Sequence, residues 1–409
     1  MSKILLISHI FPPAIDGGSK VIYKFGQYLE SQHHQTLYLS SNCSSTDDFV
    51  KSNFKTHPTF NNFIKLPVYH HLRRPLKFLN LFLKSDLLKT FQKGPIFKFF
   101  PFLKTIFQIL KFKPDFIVAG PLPTTTVIYA RFLKYLINKF NFPLLSKGNA
   151  GLYRRGFCKL LINASYHQTD SDFHTTPLTK TLQLSDFIWT LSLYETNYFI
   201  KKLKINPAKI ILAGNGVDPN FLIHKKPSTK PKNNILFIGS LSAHKRVDLL
   251  IKILPTLPTN ITLTIAGQKT LFYPQIKKLI NSLEPSVKSR LKLIFNFQPS
   301  QLSKLIDNCD FLILPSIQES FGLVLIESWA RLKPVLTSDI PVLQEMVQKT
   351  NGGLTFKKDD LKDLEDKIKT LINQPKLRQQ LGQNGYTYVK NNYIWDLVGQ
   401  KIWQKISLS

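Results

Sequence analysis

The sequence has few cysteines and no long apolar run. Its three cysteines, Cys43, Cys158 and Cys309, are far apart among 409 residues. Neither a disulfide framework nor a Cys/His zinc site is therefore predicted, and a reducing compartment is expected. No run reaches the roughly 18 apolar residues that a membrane-spanning helix needs. The apolar run 4–7 is too short for the core of a secretory signal and is soon followed by Pro12-Pro13, so a buried first strand is predicted there.

Acidic residues are also scarce. The 25 Asp and Glu stand against 55 Lys and Arg, which gives a formal net charge of +30. Such an excess is typical of a solvated, lysine-rich surface or of a protein attracted to an anionic membrane, and the composition leaves both open. Nucleic-acid binding is not expected, because the sequence has no RNP-type aromatic motif, no zinc-finger spacing and no basic heptad region.

Short apolar runs alternate with stretches of helical pattern along the chain, which predicts an α/β fold. Most runs are continuous in Val, Ile, Leu or Phe rather than alternating, as in strands buried on both faces of a parallel sheet. Helical connections between such strands make βαβ units. The predicted strands are 4–8, 36–40, 115–119, 143–146 and 187–191, then 235–239, 261–266, 291–295, 311–315 and 335–338.

The chain is long enough for two domains, and its strands fall into two groups. The boundary is predicted near 212–218, before a Pro- and Lys-rich linker at 225–234. This gives one domain at 1–214 and another at 215–392. Both are predicted to be doubly wound and to face each other across a cleft, with ligands at the carboxyl ends of the strands. The segment 393–409 is predicted to form a helix that packs back on the first domain.

Residues 72–113 combine many Lys and Arg with Phe, Leu and Ile. On a helix at 96–112 the circumference is mostly apolar. One arc of roughly 140° holds Lys98, Lys104, Thr105, Gln108 and Lys111. This pattern is typical of a helix that lies in a membrane interface, and equally of a surface helix that packs a wide apolar face on the first sheet. Both interpretations remain open at this point.

The segment 315–327 carries the strongest chemical signal. It follows a predicted strand and opens a helix, so the first-turn N–H groups at 321–324 have no partner within the helix and can bind an anion such as a diphosphate. Gly322 allows a ligand to approach the backbone closely. Glu319 in the loop and Glu327 about two turns into the helix are separated by roughly 10–12 Å. These carboxylates can accept hydrogen bonds from the sugar and ribose hydroxyls of one nucleotide-sugar donor.

A second strand–loop–helix junction lies at 237–250. The strand is predicted to end at Gly239 and the helix to begin near Arg246. Lys245 then lies where its ammonium can reach a diphosphate and stabilise charge on a leaving group. A solvated loop lysine is the alternative for this residue alone, but the strand-end context favours a functional one.

A third junction lies at 10–19, between the first strand and the helix after it. Gly17 and Gly18 permit a tight turn and a close backbone approach at the helix N-terminus. A glycine pair is equally typical of a plain turn. Its position at a strand end, on the side where ligands bind in such sheets, favours a role in binding.

Together these segments resemble the retaining glycosyltransferases of family 4, which have the GT-B fold. The resemblance covers nearly the whole chain and implies two Rossmann-like domains. It implies a nucleotide-diphosphate-sugar donor bound mainly by the second domain and an acceptor bound mainly by the first. Transfer would retain the anomeric configuration and need neither metal nor cofactor. The resemblance is clearest in Gly17-Gly18, 185–192, 214–218, 239–245, 319–327, 333–335 and 352–354.

The resemblance also implies roles for single residues. Glu319 and Lys245 would be catalytic, with Glu319 touching the transferred sugar and Lys245 the diphosphate. Glu327 would bind the ribose. The donor-binding set that it implies is Gly17, Gly18, Gly239, Ser240, Lys245, Ser320, Phe321, Gly322, Leu323, Val324 and Glu327.

The sequence departs from the family pattern at three places. Ser240 stands where an Arg is often found, so one phosphate-binding cation is missing, and Arg246 stands where glycine is usual. The histidine that many members carry at a first-domain strand end has no counterpart in the stretch 145–150. The pair Arg331-Leu332 replaces two small residues. The further candidate site residues are Asn215, Arg246, Lys147 and Asn149.

Two metal-like patterns are interpreted as coincidental. Asp170-Ser171-Asp172 spells the DxD tripeptide of metal-dependent glycosyltransferases, but it falls in an apparent loop rather than at a strand end. His33-His34 and His70-His71 are adjacent pairs, which cannot ligate one ion from the same face of a helix. No metal site is therefore predicted.

The sequence predicts a glycosyltransferase that moves a sugar from a nucleotide-sugar to a sugar, lipid-linked or polysaccharide acceptor. Two other functions stay open: a nucleotide-sugar 2-epimerase of the same fold, and a non-catalytic protein that binds nucleotide-sugars or polyanions. The expected location is cytoplasmic, with residues 72–113 as a candidate contact with the inner membrane face. The donor base, the sugar and the acceptor are not specified by the sequence.

Overall fold

The computed structural model describes residues 1–11, 17–42, 62–69, 85–86, 95–140, 157–166, 173–222 and 232–408. The chain forms two compact units. The first comprises Met1–Leu191, Glu195–Gly214 and Gly399–Ser409, and the second comprises Ser192–Tyr194 and Asn215–Val398. Among the described residues, no helix combines the length and apolar character that crossing a bilayer requires.

The first unit is built on a parallel sheet of seven strands in the order β3-β2-β1-β4-β5-β6-β7. Its central strands are continuous apolar runs; residues 4–7 of β1, for example, are fully buried. The strands are β1 (Lys3–Ile7), β2 (Gln35–Ser41), β3 (Phe63–Leu66), β4 (Phe116–Ala119), β5 (Lys159–Asn163), β6 (Phe187–Thr190) and β7 (Ile210–Leu212).

Helices cover both faces of this sheet. The core of one face includes Ile117 and Ile162 of the sheet, with Ile109 and Val127 from the helices above it. In the described part of residues 1–214 the helices are α1 (Gly17–Ser31), α2 (Phe99–Phe112), α3 (Thr126–Phe140), α4 (Thr176–Leu184) and α5 (Leu193–Lys201).

The second unit is built on a parallel sheet of six strands in the order β10-β9-β8-β11-β12-β13. β8 and β11 lie side by side at its centre, with register pairs such as Phe311 with Ile235. The strands are β8 (Asn234–Ile238), β9 (Thr262–Gly267), β10 (Leu291–Phe295), β11 (Phe311–Leu314), β12 (Val335–Ser338) and β13 (Gly353–Phe356).

One helix of the second unit begins at a residue of the type that caps helices. It begins after Asp360, whose carboxylate accepts a hydrogen bond from the N–H of Asp363 at 3.0 Å, as an N-cap residue does. The helices are α6 (Val247–Ile253), α7 (Tyr273–Asn281), α8 (Pro285–Lys288), α9 (Leu302–Asp307), α10 (Leu323–Ala330), α11 (Pro341–Thr350), α12 (Leu361–Asn373), α13 (Pro375–Asn392) and α14 (Trp395–Ser407).

Nine of the ten predicted strands correspond to observed ones, with ends that differ by at most one residue. The predicted strand 143–146 lies outside the described residues. The strand that precedes β6 is β5, at Lys159–Asn163, which the sequence reading missed although residues 160–162 form an apolar run. β3, β7 and β13 were also missed, because each has only three or four residues and lies at a sheet edge.

Candidate functional site

The strand order reverses at the centre of the second sheet. From β8 the chain proceeds outward to β9 and β10, returns to β11 on the other side of β8, and continues to β12 and β13. The loops 239–246 and 315–322 leave the carboxyl ends of these two neighbouring strands in diverging directions. In open α/β sheets, ligands bind at such a reversal. Both segments singled out from the sequence therefore meet at one place.

The loop after β8 is a short, hydrogen-bonded turn. Its backbone is joined to the end of β9, since the N–H of Leu241 donates to the carbonyl of Gln268 at 2.9 Å. Residues Ala243–Lys245 then form one turn of 3₁₀ helix, and Arg246 takes a left-handed conformation before α6. The hydroxyls of Ser240 and Ser242 lie 3.2 Å apart. Lys245 therefore lies in a hydrogen-bonded 3₁₀ turn rather than in an open loop.

Arg246 is engaged by two carboxylates. Its guanidinium binds Asp248 at 3.1 and 3.3 Å and also pairs with Asp359. Burial alone would raise the pKa of Asp248, but its contacts with Arg246 and Lys252 outweigh that effect, and the pKa lies below its usual value. Arg246 therefore has a structural role, and its role in donor binding remains a prediction.

The loop after β11 is tied to the loop after β8. The N–H of Ile317 donates to the carbonyl of His244 at 2.9 Å. The hydroxyl of Ser338, at the end of β12, donates to the carbonyl of Ser316. Ser316 and Ser338 are fully buried. Three neighbouring strand ends are consequently held in register at the site.

The structure brings together the two residues predicted to be catalytic. The Lys245 ammonium forms an ion pair with Glu319 Oε1, and the Ser316 hydroxyl donates to the same oxygen at 2.9 Å. The two charged side chains are 17% and 8% exposed. At such a largely buried ion pair, a ligand that offers both an anion and hydroxyl groups can replace both partners, so that neither charge is left unpaired.

The N-terminus of α10 lies directly after this ion pair in the chain. Gly322 is its N-cap residue and has φ 81° and ψ 62°, a left-handed conformation that favours glycine. As a glycine it offers no side chain to accept from the first-turn N–H groups of Leu323 and Val324, which leaves them suited to an anion. Ser320 is half-buried in the preceding loop.

The side chain of Phe321 is buried, whereas the prediction for this residue concerned its backbone N–H. Its ring is 1% exposed and packs edge-on against Tyr393, with centroids 5.5 Å apart. Its side chain therefore belongs to the core, and only its backbone is suited to a ligand. Glu327 lies within α10 and is 9% exposed, so it is a buried carboxylate on the helix that the loop introduces.

Gly17 and Gly18 lie at the reversal of the first sheet, between β1 and β4. They open α1. A Cβ atom on Gly18 would lie 2.4 Å from Cγ of Pro121, which follows β4. Packing of α1 against this proline thus accounts for glycine at position 18, and a donor contact there remains a prediction.

A buried polar group beside these glycines was missed by the sequence reading. Ser8 and His9 follow β1 directly and Ser19 lies in the first turn of α1. The Ser8 and Ser19 hydroxyls lie 3.0 Å apart, and Ser19 Oγ lies 3.3 Å from His9 Nε2. All three side chains are at most 2% exposed. The signal in the sequence was polar residues immediately after an apolar strand.

Several remaining candidates are structural or undescribed. Asn215 is 2% exposed, and its Oδ1 has no hydrogen-bond partner among the described residues. The residues Lys147, Asn149, His70-His71 and Asp170–Asp172 lie outside the described residues. The whole stretch 145–150, compared above with the family's strand-end histidine region, lies outside the described residues.

The described residues contain neither a candidate metal site nor a reactive cysteine. Within those ranges, no three His, Cys, Asp or Glu side chains group closely enough to hold a metal ion. Cys158 and Cys309 are buried, and burial raises the pKa of each thiol to about 12. Such thiols are protonated at neutral pH and are poor nucleophiles.

Part of the chain is similar to a known family of proteins. Residues 201–388 match the family model "Glycosyl transferases group 1". This part of the chain is similar to group 1 glycosyltransferase domains. The match contains both loops of the site, including Lys245, Glu319 and Glu327.

Two curated relatives and one solved structure are also similar to this chain. An uncharacterized glycosyltransferase of Methanocaldococcus jannaschii is 31% identical over 226 residues, 54% of this chain and 60% of that protein. The O-antigen chain mannosyltransferase RfbU of Salmonella typhimurium is 28% identical over 188 residues, 46% of this chain and 51% of that protein. HepE of Anabaena, solved with UDP-glucose, superimposes with a TM-score of 0.73 at 16% identity, covering 100% of both chains.

These comparisons fix the fold class. The chain has the GT-B type of fold, with two Rossmann-like α/β units. It spans only about half to 60% of the length of the two curated relatives.

Proposed function

We propose that the protein is a glycosyltransferase that moves a sugar from a nucleotide-diphosphate donor to a lipid-linked or polysaccharide acceptor, with retention of configuration and without a metal. The observation that carries this is the ion pair of Lys245 with Glu319. It lies at the strand reversal of a group 1 glycosyltransferase domain, beside the N-terminus of α10.

Donor binding follows from exchange within this ion pair. The diphosphate takes the Lys245 ammonium and the N–H groups of Leu323 and Val324. Glu319, released from Lys245, accepts hydrogen bonds from hydroxyls of the sugar. Glu327 is the counterpart for the ribose hydroxyls. Lys245 and Glu319 thereby each exchange one partner for another, as buried charges require.

Lys245 also acts in the chemical step. The bond between the anomeric carbon and the diphosphate oxygen breaks, and negative charge grows on that oxygen. The ammonium, already in place, stabilises this charge without reorganisation. A bond to the acceptor oxygen forms on the same face of the sugar, and the acceptor hydroxyl proton passes to the departing diphosphate.

The acceptor class is proposed from the relatives and from the first unit. RfbU is named for transfer to an O-antigen chain, and HepE was solved with UDP-glucose. On the first unit, the buried group of Ser8, His9 and Ser19 lies at the strand reversal, where ligands bind in such sheets. We assign acceptor binding to this end of the first sheet.

The test is a panel of UDP-, GDP-, ADP- and dTDP-sugars, read by thermal stabilisation and by nucleotide release. One donor at about 100 times its Kd should add about 2.7 kcal/mol of stability. Glu319→Gln and Lys245→Ala should each lower nucleotide release by about 100-fold or more. The matched controls are Glu284→Gln and Lys288→Ala, since both side chains are exposed on the same unit.

Other outcomes would contradict the proposal in distinguishable ways. Conversion of the donor to an epimer without an acceptor would identify a 2-epimerase. Stabilisation by a donor with no turnover on any lipid-linked or polysaccharide acceptor would identify a binding protein. No stabilisation by any donor, with Glu319→Gln equal to the unmodified chain, would remove the site from consideration.

A further inference from the structure

Helix α2 presents three different sectors around its axis. Its core-facing sector holds Thr105, Ile106 and Ile109, which are 3%, 9% and 0% exposed. The sequence had placed Thr105 with the lysines, and the structure corrects this because that side chain faces the first unit. Only part of the predicted apolar face is therefore packed on the sheet.

The second sector is apolar and exposed. Phe99, Phe100 and Phe107 are 58%, 79% and 72% exposed, and Leu103 is 36% exposed. At 100° per residue these four side chains fall within an arc of roughly 100° that lies next to the core-facing sector. We call this sector the aromatic surface. Large exposed apolar groups that are contiguous mark an interaction site rather than an ordinary surface.

The third sector is basic and borders the aromatic surface. Lys104 and Lys111 lie about 20–40° beyond Phe100 on the same helix, and both are exposed. Lys98 precedes the helix and Lys113 follows it, so exposed lysines also stand at both ends. Residues 95–113 contain no Asp or Glu. The charge next to the aromatic surface thus has one sign.

Helix α3 adds exposed aromatic residues beside α2. Tyr129 of α3 packs against Phe102 of α2, with ring centroids 5.2 Å apart. Phe132 and Phe140 lie within roughly 60° of Tyr129 around α3, and they are 44% and 65% exposed. The exposed phenylalanines of α3 therefore stand on the side of that helix nearest α2.

We propose that the aromatic surface docks the protein on an anionic lipid bilayer. The phenylalanines enter the boundary between headgroups and acyl chains, and the lysines that frame them meet the lipid phosphates, with their stems along the apolar surface. The one-signed charge selects this occupant, because a second copy of a chain with net charge +30 would set these lysines against its own. The inference does not depend on the proposed function, since it rests on α2 and α3 alone.

The test is co-sedimentation of the full chain with vesicles of phosphatidylcholine alone or mixed with phosphatidylglycerol. The unmodified chain should bind the mixed vesicles, and added salt should weaken the binding. Phe100→Ser with Phe107→Ser should lower the partition coefficient by about tenfold or more. Leu271→Ser is the matched control, because that side chain is 99% exposed on the second unit.

The contribution of charge is tested with two pairs of substitutions that change net charge equally. Lys104→Gln with Lys111→Gln should lower binding to mixed vesicles by about fivefold per lysine. Lys277→Gln with Lys288→Gln, exposed on the second unit, should change it far less. Equal losses from the two pairs would overturn a defined docking surface.

Three further outcomes decide the proposal. Equal vesicle binding by the unmodified chain and Phe100→Ser/Phe107→Ser would overturn it. Sedimentation of the lipid-free chain as a dimer that this double variant dissociates would assign the surface to a second copy. Stabilisation by the donor should be unchanged in the double variant, so loss of vesicle binding alone tests the surface separately from the enzyme activity.

Discussion

Lys245 and Arg246 are adjacent in the chain, but their side chains have different ion-pair partners. Arg246 is held by two carboxylates, those of Asp248 and Asp359. Lys245 is held by Glu319, which the proposed donor would itself occupy. The ion pairs of Arg246 lie at the start of α6. In the pair of Lys245 with Glu319 the two opposite charges compensate each other. Both side chains are cations, so the difference between Lys245 and Arg246 comes from the carboxylates that surround each of them.

Asp248→Asn should destabilise the protein by about 1–3 kcal/mol at pH 7, because Arg246 and Lys252 lose a buried carboxylate. The pKa of Asp248 is lowered in the folded chain. Its contribution is therefore present above the unfolded value of about 3.9 and is lost as the pH falls through the folded pKa. Urea unfolding from pH 7 to pH 3 measures the difference between the variant and the unmodified chain, which should narrow toward acid.

Asp366→Asn is the control for this experiment. Its ion pair with Lys362 is exposed, so the change should be within about 0.5 kcal/mol. A difference for Asp248→Asn that stays constant down to pH 3 would contradict the assignment of the stability to its charge.

The sequence predicted Glu319 and Lys245 because each follows a recognisable strand and precedes a helix. It did not predict the partner of Arg246, since Asp359 is 113 positions away in the chain. Nor did it predict that Phe321 is a core residue, because an aromatic side chain in a glycine-containing loop carries no mark of the direction it faces. Contacts of this kind depend on tertiary packing, which local patterns do not encode.

Helix α10 is positioned by the packing of Trp329. Its indole N–H donates to the carbonyl of Gly352 at 2.7 Å. A Cβ atom on Gly385 of α13 would lie 2.1 Å from Cδ1 of the same ring. The absence of a side chain at this position therefore allows α13 to approach the helix that carries Glu327.

Gly385→Ala should destabilise the second unit by about 1–3 kcal/mol, because the added methyl group overpacks the contact with Trp329. Displacement of α10 should also weaken donor binding. Guanidinium unfolding and donor titration measure the two effects. Gln379→Ala, exposed on the same helix, should change neither, and an unaltered Gly385→Ala protein would show that the ring has room to move.

The sheets were largely predictable at the scale of elements, because parallel strands buried on both faces are continuous apolar runs. β11 reads Phe-Leu-Ile-Leu and is fully buried. β13 reads Gly-Leu-Thr-Phe and was missed, since its register with β12 rather than its composition makes it a strand. The two interpretations of α2 could not be separated from the sequence, because the same apolar circumference serves both a core and a docking face.

The last helix belongs to both units of the molecule. The first residues of α14 lie in the second unit, where Gly216 packs against Trp395. Its later residues lie in the first unit, where Trp403 contacts Phe116 with ring centroids 5.4 Å apart. Ile402 and Ile406 are at most 1% exposed. The carboxyl end of the chain therefore completes the core of the unit that the amino end begins.

A chain that ends at Val398 should lose about 5 kcal/mol from the first unit, because two buried isoleucines and a tryptophan are removed. Its melting temperature should fall by roughly 10 °C or more. A chain that ends at Ser407 is the control, since Leu408 is 88% exposed. Hydrogen exchange measured on peptides should lose protection in β1 but not in β11, and equal loss in both would contradict this division.

The ion pair at the site also bears on product release under the proposed function. A donor supplies phosphates to Lys245 and sugar hydroxyls to Glu319 at once. The nucleotide left after transfer supplies only the phosphates, so it takes Lys245 away from Glu319 and leaves that carboxylate, 8% exposed, without its counter-charge. Glu319 thus competes with the product nucleotide for Lys245, and this competition favours release of the nucleotide.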